Sequence, residues 1–201
     1  MRSLALLDRA SRLAERHLKR YGQAAPASTT YKIPELLPHP VAWAQDVLGV
    51  HLDPWQQELV TSSAISMIAA CARQVGKTEA IIVAVAYQLM HFPGLVVILA
   101  NGDRTAGEIF ARVRDALSRA GASISSSDDN KRSCSLREPR SRLLALPAAP
   151  KTVRGIAGVR LLILDEAAFM PPELFAAVEP MVAAAGGRTI YASSPNGQLG
   201  R

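Results

Sequence analysis

The chain has little cysteine and no long apolar run, and each shortage removes a class of protein. Its two cysteines, Cys71 and Cys134, lie far apart with no His or Cys at metal-ligand spacing. That argues against a disulfide framework and against a zinc site. A bilayer-spanning helix needs roughly 18 or more consecutive apolar residues, whereas the longest stretches here, Ala80 to Ala86 and Leu95 to Ala100, are short. Residues Met1 to Tyr21 interleave leucines with Arg2, Asp8, Arg9, Arg12, Glu15, Arg16, Lys19 and Arg20, so they lack the unbroken apolar centre of a secretory signal. Repeats and low-complexity tracts are absent too. The expectation is a soluble protein of a reducing, cytoplasmic compartment.

What is present can build one substantial core: 201 residues, 49% of them hydrophobic, a length for one main domain rather than two. Lys and Arg number 23 against 17 Asp and Glu, a formal charge of +6. This permits a nucleic-acid partner, but an Arg-rich surface with no partner reads equally well.

Leu4, Leu7, Leu13 and Leu18 fall at roughly helical spacing, predicting an amphipathic helix that Gly22 ends. From Gln23 to Pro40, prolines and a Ser-Thr-Thr run predict a linker or extended arm. Residues 1–40 are therefore set apart from a domain over 41–201. That domain alternates short β-rich runs with helical stretches, the order of βαβ units. Helices are predicted over Val41 to Leu48, from Asp53-Pro54 with Asp53 as N-cap, and over Glu79 to His91, Arg104 to Ala120 and Pro172 to Ala185. Buried strands are predicted at Ile65 to Ala70, Leu95 to Ala100, Leu161 to Leu164 and Thr189 to Ala192. Pieces at Ser133 to Leu136 and Arg142 to Leu146 suggest an antiparallel hairpin inserted before the acidic strand. The fold class is α/β, a mostly parallel sheet flanked by helices.

Cys71-Ala72-Arg73-Gln74-Val75-Gly76-Lys77-Thr78 sits between a predicted strand and a predicted helix, the context of a phosphate-binding loop. Gly76 lets backbone approach phosphates, and the first-turn amides attract anionic oxygens. Lys77 reaches the β and γ phosphates of ATP, and the Thr78 hydroxyl is placed to ligate Mg²⁺. Cys71 stands where the common motif has its first glycine. The bland alternative, a solvated lysine at a helix start, opposes the helix dipole and gains nothing without an anion nearby.

Leu161-Leu162-Ile163-Leu164-Asp165-Glu166 delivers two carboxylates to the end of a buried strand, where open α/β folds keep their sites. Asp165 is expected to hold Mg²⁺ and Glu166 to orient the water that attacks the γ phosphate. Solvated caps of the following helix are the alternative, and the phosphate loop weighs against it. Together the halves read as a P-loop NTPase of the RecA-like class.

More specific residues resemble one family. Arg73-Gln74-Val75-Gly76-Lys77-Thr78, without a leading glycine, is similar to the deviant P-loop of bacteriophage large terminases. Pro54-Trp55-Gln56-Gln57 resembles that family's adenine-reading segment, and Ser141 to Pro147 leading into Val153-Arg154-Gly155 its stretch before the acidic strand. Leu164 to Phe169 resembles its acidic motif, and Ser193-Ser194-Pro195-Asn196-Gly197 its coupling motif. The resemblance spans about Val41 to Gly197. It implies the ATPase domain of a ring-forming motor on a capsid portal, working with a small terminase subunit in the host cytoplasm and translocating double-stranded DNA.

On that reading Gln56 selects adenine, with a polar residue on a solvated helix face as the alternative; Trp55 beside it reads as a core anchor. Ser193, Ser194 and Asn196 sense the γ phosphate, unless they form an ordinary polar turn. Arg154 reaches a neighbouring subunit's phosphate in trans, with Arg73, Arg160 and a plain surface or DNA-phosphate role in competition. Terminases of this type continue into a nuclease domain, and no nuclease activity is expected of these residues. A helicase-like translocase and a nucleotide- and DNA-binding module without turnover are the rival readings.

Overall fold

In a computed structural model, residues 37–125 and 131–195 are described. The segment predicted as an N-terminal helix, most of the predicted arm, and Asn196 lie outside them. The elements run α1 (Pro40–Leu48), α2 (Pro54–Thr61), β1 (Ser66–Ala70), α3 (Lys77–His91), β2 (Gly94–Ala100), α4 (Asp103–Arg119), β3 (Ser133–Leu136), β4 (Ser141–Pro147), α5 (Pro150–Val153), β5 (Val159–Asp165), a 3₁₀ turn (Ala167–Phe169), α6 (Pro172–Ala183) and β6 (Arg188–Ser193). Predicted and observed elements agree to within a few residues, because their ends carry local signals. Pro54 opens α2 after Asp53, and the Asp53 amide donates to the Gln56 Oε1 at 2.7 Å.

The sheet has the order β1-β6-β5-β2-β4-β3 and is parallel except for β3. The predicted hairpin exists, but β4 is a full member of the parallel sheet, paired with β2 from Gly94↔Ser141 to Ala100↔Pro147. Only β3 runs against it, as an edge strand. Helices α1 to α4 cover one face, where Val96, Ile98, Leu161, Ile163 and Ile190 meet Ile81, Val85 and Leu89 of α3. On the other face Val97, Leu99, Leu162 and Leu164 pack against Leu174, Val178 and Met181 of α6. Burial on both faces explains why β2 and β5 are continuous apolar runs rather than alternating ones.

Strand β1 departs from expectation. It is an edge strand, bonded to β6 on one side only, and Ile65 and Ile68 are 54% and 47% exposed. An apolar run signals a buried strand only when neighbours cover both faces and both edges. Among the described residues, nothing lies along the outer edge of β1.

At the far end of α3, His91 sits among Trp43 and Tyr87, with ring centroids 5.6 and 4.5 Å away. Burial pulls its pKa below the ordinary histidine value, since the charged form loses hydration there. The unfolded chain therefore binds the proton more readily than the folded one. This contribution is complete above about pH 6.5 and is lost as pH falls toward the folded-state value. Urea midpoints are expected to drop between pH 7 and pH 5, and His91→Phe, which keeps an aromatic ring, to flatten that slope. Equal slopes for both proteins would remove His91 as the cause.

Candidate active site

Parallel strands point their C-terminal ends the same way, so β1, β5 and β6 deliver the phosphate loop, the acidic pair and Ser193-Ser194 to one edge of the sheet. The Cys71 amide donates to the Ser193 carbonyl at 3.0 Å, tying the start of the loop to the end of β6. Gln74 and Gly76 both take positive φ, 63° and 84°. Alternating handedness of this kind turns successive amides inward as an anion cradle. At Gly76 a Cβ would also overlap the Gln56 amide nitrogen.

A cavity of about 530 Å³ opens here. Its wall includes Arg73, Gln74, Gly76, Lys77, Thr78 and Glu166. Lys77, only 9% exposed, donates to Glu166 Oε1 at 2.6 Å and stands 3.6 Å from Asp165 Oδ1. Glu166 has φ 59°, a left-handed backbone that a non-glycine residue adopts at some cost and that turns the chain sharply off β5. Its carboxylate also accepts the Ser194 amide at 3.0 Å, the Ser194 hydroxyl at 3.3 Å and the Ser193 hydroxyl at 3.4 Å. Ser193 in turn accepts the Ala168 amide at 3.1 Å.

These contacts separate the two acids. Burial raises Asp165; the charge of Lys77 opposes this and that of Glu166 reinforces it, leaving the pKa above the ordinary value. Burial acts the same way on Glu166, but hydrogen bonds from Lys77 and the Ser194 amide outweigh it and hold that carboxyl below the usual range. Asp165 Oδ1 is buried and has no hydrogen-bond partner. A buried carboxylate oxygen facing the end of a phosphate loop fits a hard divalent cation such as Mg²⁺, which takes one or two carboxylates plus phosphate and water. No cluster of three His, Cys, Asp or Glu occurs among the described residues. Cys71 is half-buried, and burial pushes its thiol up despite Lys77. It is a protonated packing residue.

Four sequence-derived candidates lie elsewhere or differ in detail. Val75 is exposed and does not line the cavity. Gln56 is buried, at 4% exposure, rather than on a solvated face. Its Nε2 donates to the Gly76 carbonyl at 2.9 Å while its Oε1 accepts from Asp53, so the amide braces the loop. Gln56→Ala is expected to lower the unfolding free energy by about 1–3 kcal/mol, because two backbone groups lose their partner. An unchanged urea midpoint in the nucleotide-free protein would leave base reading as its role. Arg154 is exposed at the end of α5 and borders a separate cavity of about 350 Å³ with Val153, Ile156, Ala177 and Met181. Arg160 donates to the Ala185 carbonyl at 2.6 Å, away from the phosphate loop.

Sequence reasoning missed Glu79, Asn101, Arg112 and Phe169, which also line the main cavity. Glu79 follows the loop directly and was detectable. The position of Arg112 depends on how α4 packs on α3, and no motif marks it.

No family model matches the chain, and no curated protein does. Solved structures do. The ATPase domain of the Thermus phage P74-26 large terminase aligns with a TM-score of 0.71 and 26% identity, over 80% of this chain and 72% of that one. The HK97 bacteriophage large terminase aligns with a TM-score of 0.65 and 19% identity, over 77% of this chain and 37% of that one. A large terminase from a thermophilic bacteriophage, solved in complex with ADP, aligns with a TM-score of 0.56 and 14% identity, over 70% of this chain and 38% of that one. The fold is that of a large-terminase ATPase domain, and toward the P74-26 domain the likeness extends to sequence.

Proposed function

We propose that this chain is the ATP-hydrolysing motor domain of a viral large terminase, coupling Mg²⁺-ATP hydrolysis to translocation of double-stranded DNA. The observation that carries the reading is the loop lysine in the cavity wall, paired at once with Glu166 at 2.6 Å and with the buried Asp165 Oδ1 at 3.6 Å, an oxygen that has no hydrogen-bond partner. Structural likeness to terminase ATPases, one of them solved with ADP, supports it.

In this reading Lys77 exchanges Glu166 for β- and γ-phosphoryl oxygens when ATP enters. Glu166, still held by the Ser194 amide, then orients and polarises the attacking water. Thr78 and Asp165 are the residues that would hold Mg²⁺, and the cation would supply neutralisation of phosphoryl charge. Because Ser193 and Ser194 bond the Glu166 carboxylate, any shift of Glu166 is passed to β6. That contact is the physical basis for assigning these serines, with Asn196 beyond them, a coupling role. DNA, the capsid portal, the small terminase subunit and a homo-oligomeric ring are the proposed partners, in the host cytoplasm during virion assembly. Among the described residues, no helix is long and apolar enough to cross a membrane.

Phosphate release by the chain, with and without double-stranded DNA, tests the reading; absence of any nucleotide binding would end it. Arg154 supplies a sharper test. It lies outside the cavity that holds Lys77, as a residue acting on a neighbour's phosphate should. A guanidinium supplied in trans stabilises charge on the transferring group and is worth about 10³ to 10⁵ in rate in other NTPases. Mixtures of Arg154→Ala and Lys77→Ala subunits, each inactive alone, are expected to recover ATPase, since a mixed pair contains one intact site. No recovery in co-assembled mixtures returns the role to Arg73, which lines the cavity in cis.

A further inference from the structure

Helix α4 makes ion pairs both within itself and to other elements, Asp103 pairing with Arg132 beyond the helix. Arg104 pairs with Glu108, and Arg119 with Asp115, both one turn apart on the helix. Arg112 instead crosses to α3, where its Nη2 donates to Glu79 Oε2 at 2.5 Å. Glu79 is the third residue of the helix that begins at Lys77. Both Glu79 and Arg112 line the main cavity with Lys77, Thr78 and Glu166.

A carboxylate in that wall is electrostatically wrong for a polyanionic ligand, because like charges oppose one another at short range. Arg112 cancels it. The guanidinium has five donors in a planar fork, and the contact with Glu79 uses one of them. The others remain for an anion in the cavity. The side chain is half exposed, so it is able to swing between Glu79 and a ligand without burying an unpaired charge. Lys77 already serves the inner end of the cavity from a buried position. Arg112 is a second, more exposed cation in the wall of the cavity that Lys77 and Glu166 also line.

We propose that Arg112 leaves Glu79 to contact the γ-phosphoryl group in cis, and so distinguishes nucleoside triphosphate from diphosphate. This rests on the reading of the cavity as a nucleotide site. The role differs from that of Arg154, which is assigned to a neighbouring subunit's site.

Isothermal titration of the full chain with ATP-γ-S and with ADP, both with Mg²⁺, tests it. Arg112→Ala is expected to weaken ATP-γ-S by about tenfold or more, the usual scale for losing a charge-assisted hydrogen bond, while ADP changes by less than about twofold. Arg112→Lys, which keeps the charge without the fork, is expected to fall between. Glu79→Gln is expected to retain the preference for ATP-γ-S, because the guanidinium is freed rather than lost. If Arg112 only braces α4 against α3, Arg112→Ala and Glu79→Gln will lower the melting temperature alike, and the two nucleotides will keep their affinity ratio; that result overturns the proposal while the nucleotide site stands. Should Arg112→Ala fail to fold, Arg112→Gln carries the same comparison. Wild-type protein that binds neither nucleotide would instead refute the site itself, and this proposal with it.

Discussion

Lys77→Ala is expected to abolish detectable ATP and ADP binding and, with it, all phosphate release. The ammonium is the buried cation of the cavity, 2.6 Å from Glu166 and 3.6 Å from Asp165. Its removal does two things at once. The phosphate loop loses the charge that reaches the β and γ phosphates, which backbone amides alone do not replace. Two adjacent carboxylates are then left facing the same space with nothing between them and an incoming polyanion. Removing one member of a desolvated, hydrogen-bonded charge contact costs about 2–5 kcal/mol; for the proposed contact between the ammonium and the phosphates that is roughly thirty-fold to several-thousand-fold in affinity. Fluorescent-nucleotide titration and steady-state phosphate release read this directly. Turnover at the wild-type rate would remove the phosphate-loop assignment.

Glu166→Gln is expected to separate binding from chemistry. The amide preserves the size of the side chain and can still accept from the Ser194 amide and Lys77, so the turn after β5 survives. It cannot take a proton or polarise water as a carboxylate does, and losing a positioned base costs about 10² to 10⁴ in rate. The depressed pKa of Glu166 means that the carboxylate form is available throughout the neutral range. ATP should bind the variant at least as tightly as the wild type. In the nucleotide-free protein Glu166 competes with phosphate for Lys77, and a neutral amide competes less. Single-turnover phosphate release beside a binding isotherm distinguishes the outcomes; loss of binding would make Glu166 a structural residue.

The two variants also report on coupling. Ser193 and Ser194 touch the Glu166 carboxylate and stand at the end of β6, so Glu166 is bonded to the strand that lies between β5 and β1, the strand that leads into the loop before Lys77. In the proposed mechanism a change at the phosphates would reach β6 through these hydrogen bonds.

The sequence by itself determined most of the elements and marked the two segments, Arg73 to Thr78 and Asp165-Glu166, that the fold brings together. Asp53-Pro54 opens a helix, Pro93-Gly94 closes one, and Gly76-Lys77-Thr78 turns a strand into another, because each depends on the backbone preferences of a few adjacent residues. Asp165 and Glu166 were legible for the same reason, as carboxylates at the end of an unbroken apolar run. Tertiary structure decided the rest. Strand order placed β1 at an edge and exposed Ile65 and Ile68, although their sequence reads as buried. The packing of α2 under the loop carried Gln56 away from solvent and onto the Gly76 carbonyl. The packing of α4 on α3 brought Arg112 to Glu79 across 33 residues of chain, in the wall of the same cavity. Local preference acts within a turn or two, whereas these contacts follow from which distant surfaces bury one another, and no short segment encodes that.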